Sequence, residues 1–162
     1  MKTETRAKKH QDVRDWSLRP RIEVKREKHY SADELIDAYF RGRRDQFEED
    51  KKILLESFSE SLKRAKKVCE EFFQRLEENG IGCSFVSLRA MTISHFDAVF
   101  VVPKKRFVAL DFDAVYRMAR EKKKEVTTNT FNFSFSFMPL TDSLNEGRML
   151  TDGYIMKYEK KD

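Results

Sequence analysis

The sequence has few of the residues that mark disulfide-rich, metal-binding or membrane-spanning proteins. Its two cysteines, Cys69 and Cys83, show no CxxC spacing and no paired histidines, so we expect no structural zinc site. A disulfide between them stays open, although it would be unusual in a chain without a secretion signal. No segment approaches the roughly 20 apolar residues of a membrane span. The expectation is a cytoplasmic protein with no membrane partner.

Motifs of several enzyme classes are also missing. There is no GxxxxGK[ST] phosphate loop and no GxGxxG fingerprint. The pair Gly80 and Gly82 is too short for either and is explained by a helix cap and a strand entry. The spacing assembles no Ser/His/Asp or Cys/His triad.

Charge is abundant but unevenly distributed. Residues 1–30 hold ten Lys/Arg against five Asp/Glu, so this segment carries the whole net charge of +5. We predict a basic arm over 1–30 and a single domain over 31–162. Such an arm attracts nucleic acid or an acidic protein surface; a solubilising tail is the alternative. The candidate anion-binding residues are Lys8, Lys9, Arg14, Arg19, Arg21, Lys25, Arg26, Arg41, Arg43 and Arg44.

The front half of the domain has the pattern of long helices. Ser31 and Glu34 form a capping box, and Gly80 is a good left-handed C-cap. One helix of this length would exceed the size of the domain, so we expect a break at Gly42 or in the polar run Glu48–Lys52. Apolar residues at helical spacing indicate a core-facing side or, as the alternative, a seam shared by two copies: Phe58, Leu62, Ala65, Cys69, Phe72 and Leu76.

The back half has the pattern of strands. Ile81–Ala90 and Phe96–Val102 are β-rich, and the second suits a central strand covered on both faces. Phe107–Phe112 fits another strand or an extended entry to a helix, which Asp113 would cap and which would end near Lys124, with Val115, Met118 and Ala119 inside.

The clearest strand alternates phenylalanine with small polar residues, from Phe131 to Phe137. Pro139 is expected to end it. A helical turn within 140–151, a turn at Asp152-Gly153 and a last strand, Tyr154–Tyr158, would follow. The fold class is therefore α+β, with a long N-terminal helical segment packed on a mixed or antiparallel sheet of four to five strands.

One segment resembles the signature of the nucleotidyltransferase superfamily. It runs Phe85-Val-Ser-Leu-Arg-Ala90, Met-Thr-Ile, then Ser94-His-Phe-Asp97 followed by an apolar run. In that family a strand ends in Gly-Ser, a basic turn follows, and a second strand carries Asp-x-Asp. The resemblance covers about residues 50–138 and implies a family-like fold.

The resemblance implies a site at Ser87, His95 and Asp97, but this site is degenerate. Val86 replaces the family's glycine, His95 replaces its first aspartate, and Asn132 falls near the third acid. In the family, carboxylates hold Mg²⁺ with a nucleoside triphosphate. One carboxylate and one imidazole are poor ligands for Mg²⁺, so we expect no metal and no cofactor.

A second Asp-x-Asp pair, Asp111 and Asp113, offers an alternative. A helix N-terminus explains both acids without metal, and we prefer that explanation. If Phe96–Val102 and Phe107–Phe112 formed a hairpin with an odd-numbered loop, Asp97 and Asp111 would share a face and could hold Mg²⁺, whereas a two-residue loop around Lys104-Lys105 would place them on opposite faces. His95 by itself is more often a loop or core histidine than a catalyst.

Two functions stay open. The first is a non-catalytic binding or assembly protein, a pseudoenzyme whose basic arm contacts nucleic acid or an acidic protein surface, and which forms a homo-oligomer or a larger assembly. The second is an active Mg²⁺-dependent nucleotidyltransferase or phosphotransferase that uses Asp97 with Asp111 or Asp113.

Overall fold

The computed structural model describes residues 15–18, 31–33, 36 and 48–160. The strands are β1 (Asp15–Leu18), β2 (Phe85–Ala90), β3 (His95–Pro103), β4 (Asn132–Leu140) and β5 (Met156–Glu159). The α-helices are α1 (Glu48–Glu78), α2 (Lys104–Phe107), α3 (Asp113–Val126) and α4 (Glu146–Thr151), with a 3₁₀ turn at Leu110–Phe112. Within the described ranges, no helix is both long and apolar enough to cross a membrane.

Helix α1 has 31 residues and is therefore about 46 Å long. It begins at Glu48, the first residue of the polar run Glu48–Lys52, and continues through Lys52; Glu34 and Gly42, the other proposed break position, lie outside the described residues. The predicted stripe is confirmed, since five of its six residues are buried and Phe58 is half-buried.

The end of α1 is fixed by a glycine, as predicted. Gly80 has φ +67°. Its N–H donates to the Glu77 carbonyl at 3.0 Å, and the N–H of Ile81 donates to the Leu76 carbonyl at 3.0 Å. These two bonds define a Schellman motif, which requires the left-handed conformation that glycine adopts without strain.

The strands form one mixed sheet in the order β1-β5-β2-β3-β4. Only the β3–β4 pair is parallel, and α3 lies on the connection between these two strands. The α+β prediction is confirmed. β1 was not predicted, because it lies within the basic arm; it pairs antiparallel with β5, from Asp15 opposite Glu159 to Leu18 opposite Met156.

The main core lies between the sheet and the helices α1 and α3. Phe72 of α1 contacts Phe100 of β3 and Phe135 of β4, at ring-centroid distances of 5.1 and 4.8 Å. The predicted phenylalanine row of β4 faces this core: Phe131 and Phe133 are buried, and Phe135 and Phe137 are partly buried. β3 is the central, covered strand that its sequence indicates.

Three local predictions near the ends of these strands are wrong. β4 continues through Pro139 to Leu140, which an edge strand allows when the missing N–H would point outward. Residues 104–112 form α2 and the 3₁₀ turn, not a strand. Asp113 is the first residue of α3, and no side chain caps that helix. The carboxylate of Asp113 can still interact favourably with the positive end of the helix dipole.

A smaller apolar cluster covers part of the opposite face of the sheet. Met149 of α4 packs there with Leu144 and Tyr154. They cover three buried residues of β2 and β3: Phe85, Val99 and Val101. The predicted helical turn within 140–151 is thus α4, and Gly153, with φ +95°, forms the turn that leads to β5.

Both cysteines are free thiols, so the open disulfide does not form. Burial raises the pKa of Cys69 and of Cys83 well above the usual thiol value. The folded state therefore keeps both protons in mild alkali, whereas an unfolded thiol ionises near pH 8.5. We expect stability to be unaffected by the thiols below about pH 8 and to fall as pH rises above it, by at most about 1.4 kcal/mol per pH unit for each thiol.

Urea unfolding at pH 7.5 and 9.5 measures this loss. A matched double variant, Cys69→Ala with Cys83→Ala, should lose less stability between the two pH values than the wild type. Rapid alkylation of both thiols in the folded protein at pH 8 would contradict the assignment.

Candidate functional site

The residues of the nucleotidyltransferase-like segment lie on the β2–β3 hairpin. Ser87 is opposite Val99, and Arg89 is opposite Asp97. Because residues two positions apart on a strand share a face, Ser87 and Asp97 lie on the same side of the sheet, the side away from α1. The hairpin therefore brings them to one face but not to one open site.

Ser87 is fully buried. Its neighbours on that face, Phe85 and Val99, are covered by Met149 of α4. A serine that binds nucleotide phosphates must be reachable from solvent, and Ser87 is not.

Asp97 is engaged by Arg89. The Nε and Nη2 atoms of Arg89 both donate to Oδ2 of Asp97, at 3.1 and 2.7 Å. Both side chains are largely withdrawn from solvent, with exposed fractions of 27% and 18%. Hydrogen bonding to Asp97 is the main cause that raises the pKa of Arg89, so this arginine stays charged and compensates the carboxylate.

Arg89 is itself held in place from two further directions. Its Nη1 donates to the carbonyl of Asp152 at 3.0 Å. Its guanidinium lies over the ring of Tyr154, 4.6 Å from the centroid, a distance typical of a cation–π contact. Burial is the main cause that raises the pKa of Tyr154. The loop before β5 therefore fixes the arginine that neutralises Asp97.

His95 completes the polar part of this face. Its Nε2 lies 3.4 Å from Oγ of Ser134 and 3.9 Å from Oδ1 of Asp97. Asn132, opposite His95 on β4, has a buried Oδ1 without a hydrogen-bond partner in the described part of the chain. The polar part of this face therefore consists of His95, Ser134 and Asn132 beside the Arg89–Asp97 pair.

The alternative metal ligands are not brought together. Asp97 is the third residue of β3, whereas Asp111 and Asp113 follow the end of that strand. Pro103, the last residue of β3, is six residues beyond Asp97, which is about 20 Å along the strand. Asp111 instead pairs with Arg106 at 3.0 Å. The hairpin that a shared Asp97–Asp111 site needs does not form.

The donor set does not fit Mg²⁺. Among the residues described, no three or more His, Cys, Asp or Glu side chains are grouped so as to hold a metal. Mg²⁺ prefers several oxygen ligands in octahedral geometry, and Asp97, the carboxylate of the candidate site, already accepts two bonds from Arg89.

Sequence reasoning missed the basic surface of α3. Its four exposed cations make no ion pair with any residue in the described ranges: Arg117, Arg120, Lys123 and Lys124. Tyr116, Arg120 and Lys123 are spaced by four and three residues, so the sequence already indicated that they share one side of the helix. All ten anion-binding candidates named from the sequence, in the arm and at 41–44, lie outside the described residues.

Comparison of the chain with family models, with curated proteins and with solved structures found no match in any of the three.

Proposed function

We propose that this chain is a non-catalytic binding or assembly protein that takes an anionic partner, on a scaffold resembling a degenerate nucleotidyltransferase. The observation that carries the proposal is the Arg89–Asp97 contact. A carboxylate that a neighbouring guanidinium neutralises has lost most of its attraction for a divalent cation, so its role here is structural.

Two further observations support the binding role. Ser87 is fully buried between neighbours that pack against Met149 of α4, so phosphates cannot reach it without rearrangement. The cations of α3 that form no ion pair with a described residue provide positive charge on a helix packed against the sheet, in addition to the +5 balance of residues 1–30. Cations without internal partners attract anions over a distance set by the ionic strength.

The proposal predicts salt-dependent binding without catalysis. The full chain should bind a labelled RNA 20-mer or polyglutamate at about 50 mM salt and should lose at least about ten-fold in affinity at about 200 mM, because bound counterions are released on binding. Fluorescence anisotropy measures both affinities. Absence of binding to both the RNA 20-mer and polyglutamate at low salt would contradict the proposal.

An active Mg²⁺-dependent nucleotidyltransferase is the second candidate, because Ser87 and Asp97 do share a face of the β2–β3 hairpin. Incubation with each labelled nucleoside triphosphate, Mg²⁺ and nucleic-acid or protein acceptors separates the two. We expect no incorporation. Transfer that the wild type performs and Asp97→Asn loses would favour the enzyme.

A further inference from the structure

The outer edge of β4 has no strand partner among the described residues. β4 is last in the sheet, and β3 is its only strand neighbour in that part of the chain. The N–H of Asn132 donates toward β3, to the Ser94 carbonyl at 2.8 Å. Since successive residues of a strand direct their backbone groups to opposite sides, those of Phe133, Phe135 and Phe137 point outward. No strand in the described part of the chain pairs with them.

Within the described part of the chain, this edge has little of the usual protection against pairing. Natural edge strands are often short or carry charged residues. β4 has nine residues, Asn132–Leu140, and none is charged. Pro139 removes one outward N–H near the end of the strand, and Phe131 is satisfied by its bridge to Thr128. The stretch from Phe133 to Phe137 is left as a template for one more strand.

Helix α3 lies over β4 along this edge. The ring of Tyr116 meets the ring of Phe137 edge-on, at 5.2 Å between centroids. At the other end of the helix, the carbonyl of Val126 accepts from Arg64, whose guanidinium lies over Phe131. The helix therefore runs antiparallel to β4, above the phenylalanine row.

The contacts of α3 define which of its sides faces the open edge. Val115 and Ala119 are buried against the sheet. Glu121 and Lys122 point toward α1, where they pair with Arg75 and Glu71. The remaining side of α3 that is next to β4 carries Tyr116 in its first turn.

Arg120 and Lys123 follow Tyr116 by four and seven residues and so lie on the same side of the helix. Both are exposed, and neither forms an ion pair within the described ranges. A strand added beside β4 would therefore lie below two uncompensated cations.

This charge selects the occupant. A second copy, paired antiparallel about a two-fold axis, would place Arg120 and Lys123 against the same cations of its partner, and like charges so placed are destabilising. The chain's own arm, residues 1–30, has a balance of +5 and is disfavoured for the same reason. An acidic segment is complementary.

We propose that the outer edge of β4 and the cations of α3 together bind an extended acidic segment of a partner protein, which adds a sixth strand to the sheet. This inference rests on the proposed binding function and names its partner class and its surface. Main-chain hydrogen bonds to Phe133, Phe135 and Phe137 would supply affinity, and side chains would supply selectivity.

The segment should alternate in character, because its side chains alternate between the two faces. Acidic residues would point toward Arg120 and Lys123. The residues between them would lie beside Ser136 and the exposed Met138 and Leu140 of β4 and should be small or apolar.

The probe is a labelled ten-residue peptide that alternates Glu and Val, titrated into the full chain by fluorescence anisotropy. Four peptides serve as controls: one that alternates Lys and Val, one with five Glu followed by five Val, and the acidic probe N-methylated either at every Glu or at every Val. We expect the first two, and at least one of the two N-methylated peptides, to bind at least about ten-fold more weakly than the probe. Binding of both N-methylated peptides as tightly as the probe would overturn strand addition.

Hydrogen exchange locates the site residue by residue. In the free protein the amides of Phe133, Phe135 and Phe137 should exchange fast, while those of Ser134 and Ser136, which point to β3, should be protected. The acidic probe should slow the first group selectively. Protection of Phe133, Phe135 and Phe137 without the probe would show that the edge is already occupied and would overturn the proposal.

Charge reversal tests the cations. Arg120→Glu with Lys123→Glu should weaken probe binding by at least about ten-fold. The matched control, Lys52→Glu with Lys63→Glu on exposed positions of α1, makes the same change in net charge and should weaken it by less than about three-fold. Equal losses in the two variants would overturn the site.

An RNA 20-mer distinguishes the failure of this inference from the failure of the proposed function. RNA that binds through Arg120 and Lys123 while the peptide does not bind would overturn the inference alone. Absence of binding by both RNA and peptide at low salt would overturn both. A dimer in sedimentation analysis that protects the β4 edge would assign the surface to self-association instead.

Discussion

Replacing Phe72 by alanine is expected to lower the free energy of unfolding by about 3–5 kcal/mol, the usual cost of removing a fully buried aromatic ring. Phe72 is 1% exposed. Its ring contacts Phe100, Phe135 and Phe137, at 5.1, 4.8 and 6.1 Å between centroids. The alanine variant loses all three ring contacts. The three phenylalanines, on β3 and β4, cannot all shift to fill the cavity that the missing ring leaves.

Urea or guanidinium unfolding measures this loss, since the midpoint falls while the slope stays constant if only stability changes. The matched control is Ile53→Ala on the same helix, where the side chain is 64% exposed and the change should be below about 0.5 kcal/mol. A loss below about 1 kcal/mol for Phe72→Ala would show that α1 does not pack on the phenylalanine row as described.

Replacing Arg89 by methionine is expected to cost about 2–3 kcal/mol. Methionine keeps the aliphatic length but leaves the carboxylate of Asp97, with 18% of the side chain exposed, without its main compensating charge. Removing one partner of a withdrawn ion pair is costly because the other charge stays poorly solvated. The contacts of Arg89 with Asp152 and Tyr154 are lost as well.

A double-mutant cycle with Asp97→Asn isolates the pair. We expect Asp97→Asn to cost about 1–3 kcal/mol and the double variant to cost less than the sum, because neither change then leaves a charge alone. Asp111→Asn is the matched control: its pair with Arg106 is more exposed, so the loss should be below about 0.5 kcal/mol. Additive losses at Arg89 and Asp97 would contradict the structural role of Asp97.

Much of the fold was predictable because several patterns had one physical solution. The stripe of α1 can be buried on only one side of a helix, and alternating phenylalanines can be buried on only one face of a strand. Gly80 is followed by an apolar residue, as the Schellman motif requires, and Asp152-Gly153 is a turn for the same conformational reason.

The errors fall where a neighbour decides the outcome. A proline would break a central strand, but an edge strand tolerates it where the missing N–H would point outward, as at Pro139. β4 is recognisable as an edge strand only once the strand order is known. Phe107–Phe112 has strand-like composition, yet Phe107 and Phe112 pack on each other at 5.2 Å in a helical connection. β1 depends on pairing with β5, some 140 residues later in the chain.

For the candidate site, local composition identified the residues but not their relations. The hairpin that places Arg89 opposite Asp97 depends on the four-residue turn between β2 and β3. The apolar cover over Phe85 and Val99, the neighbours of Ser87, comes from Met149 of α4, about 60 residues later in the chain. One side of α3 packs on the sheet and a second side pairs with α1. The side that makes no ion pair in the described ranges can be identified only once those two contacts are known.

By itself the sequence determined the α+β class, the core-facing stripes and the shortage of carboxylates around Asp97, because periodicity and residue type act within a few neighbouring positions. The tertiary structure alone decided that Arg89 neutralises Asp97, that Ser87 is closed to solvent and that no strand in the described ranges pairs with the outer edge of β4. Those properties depend on pairing between distant segments, and a linear pattern carries no information on which side a distant segment will pack.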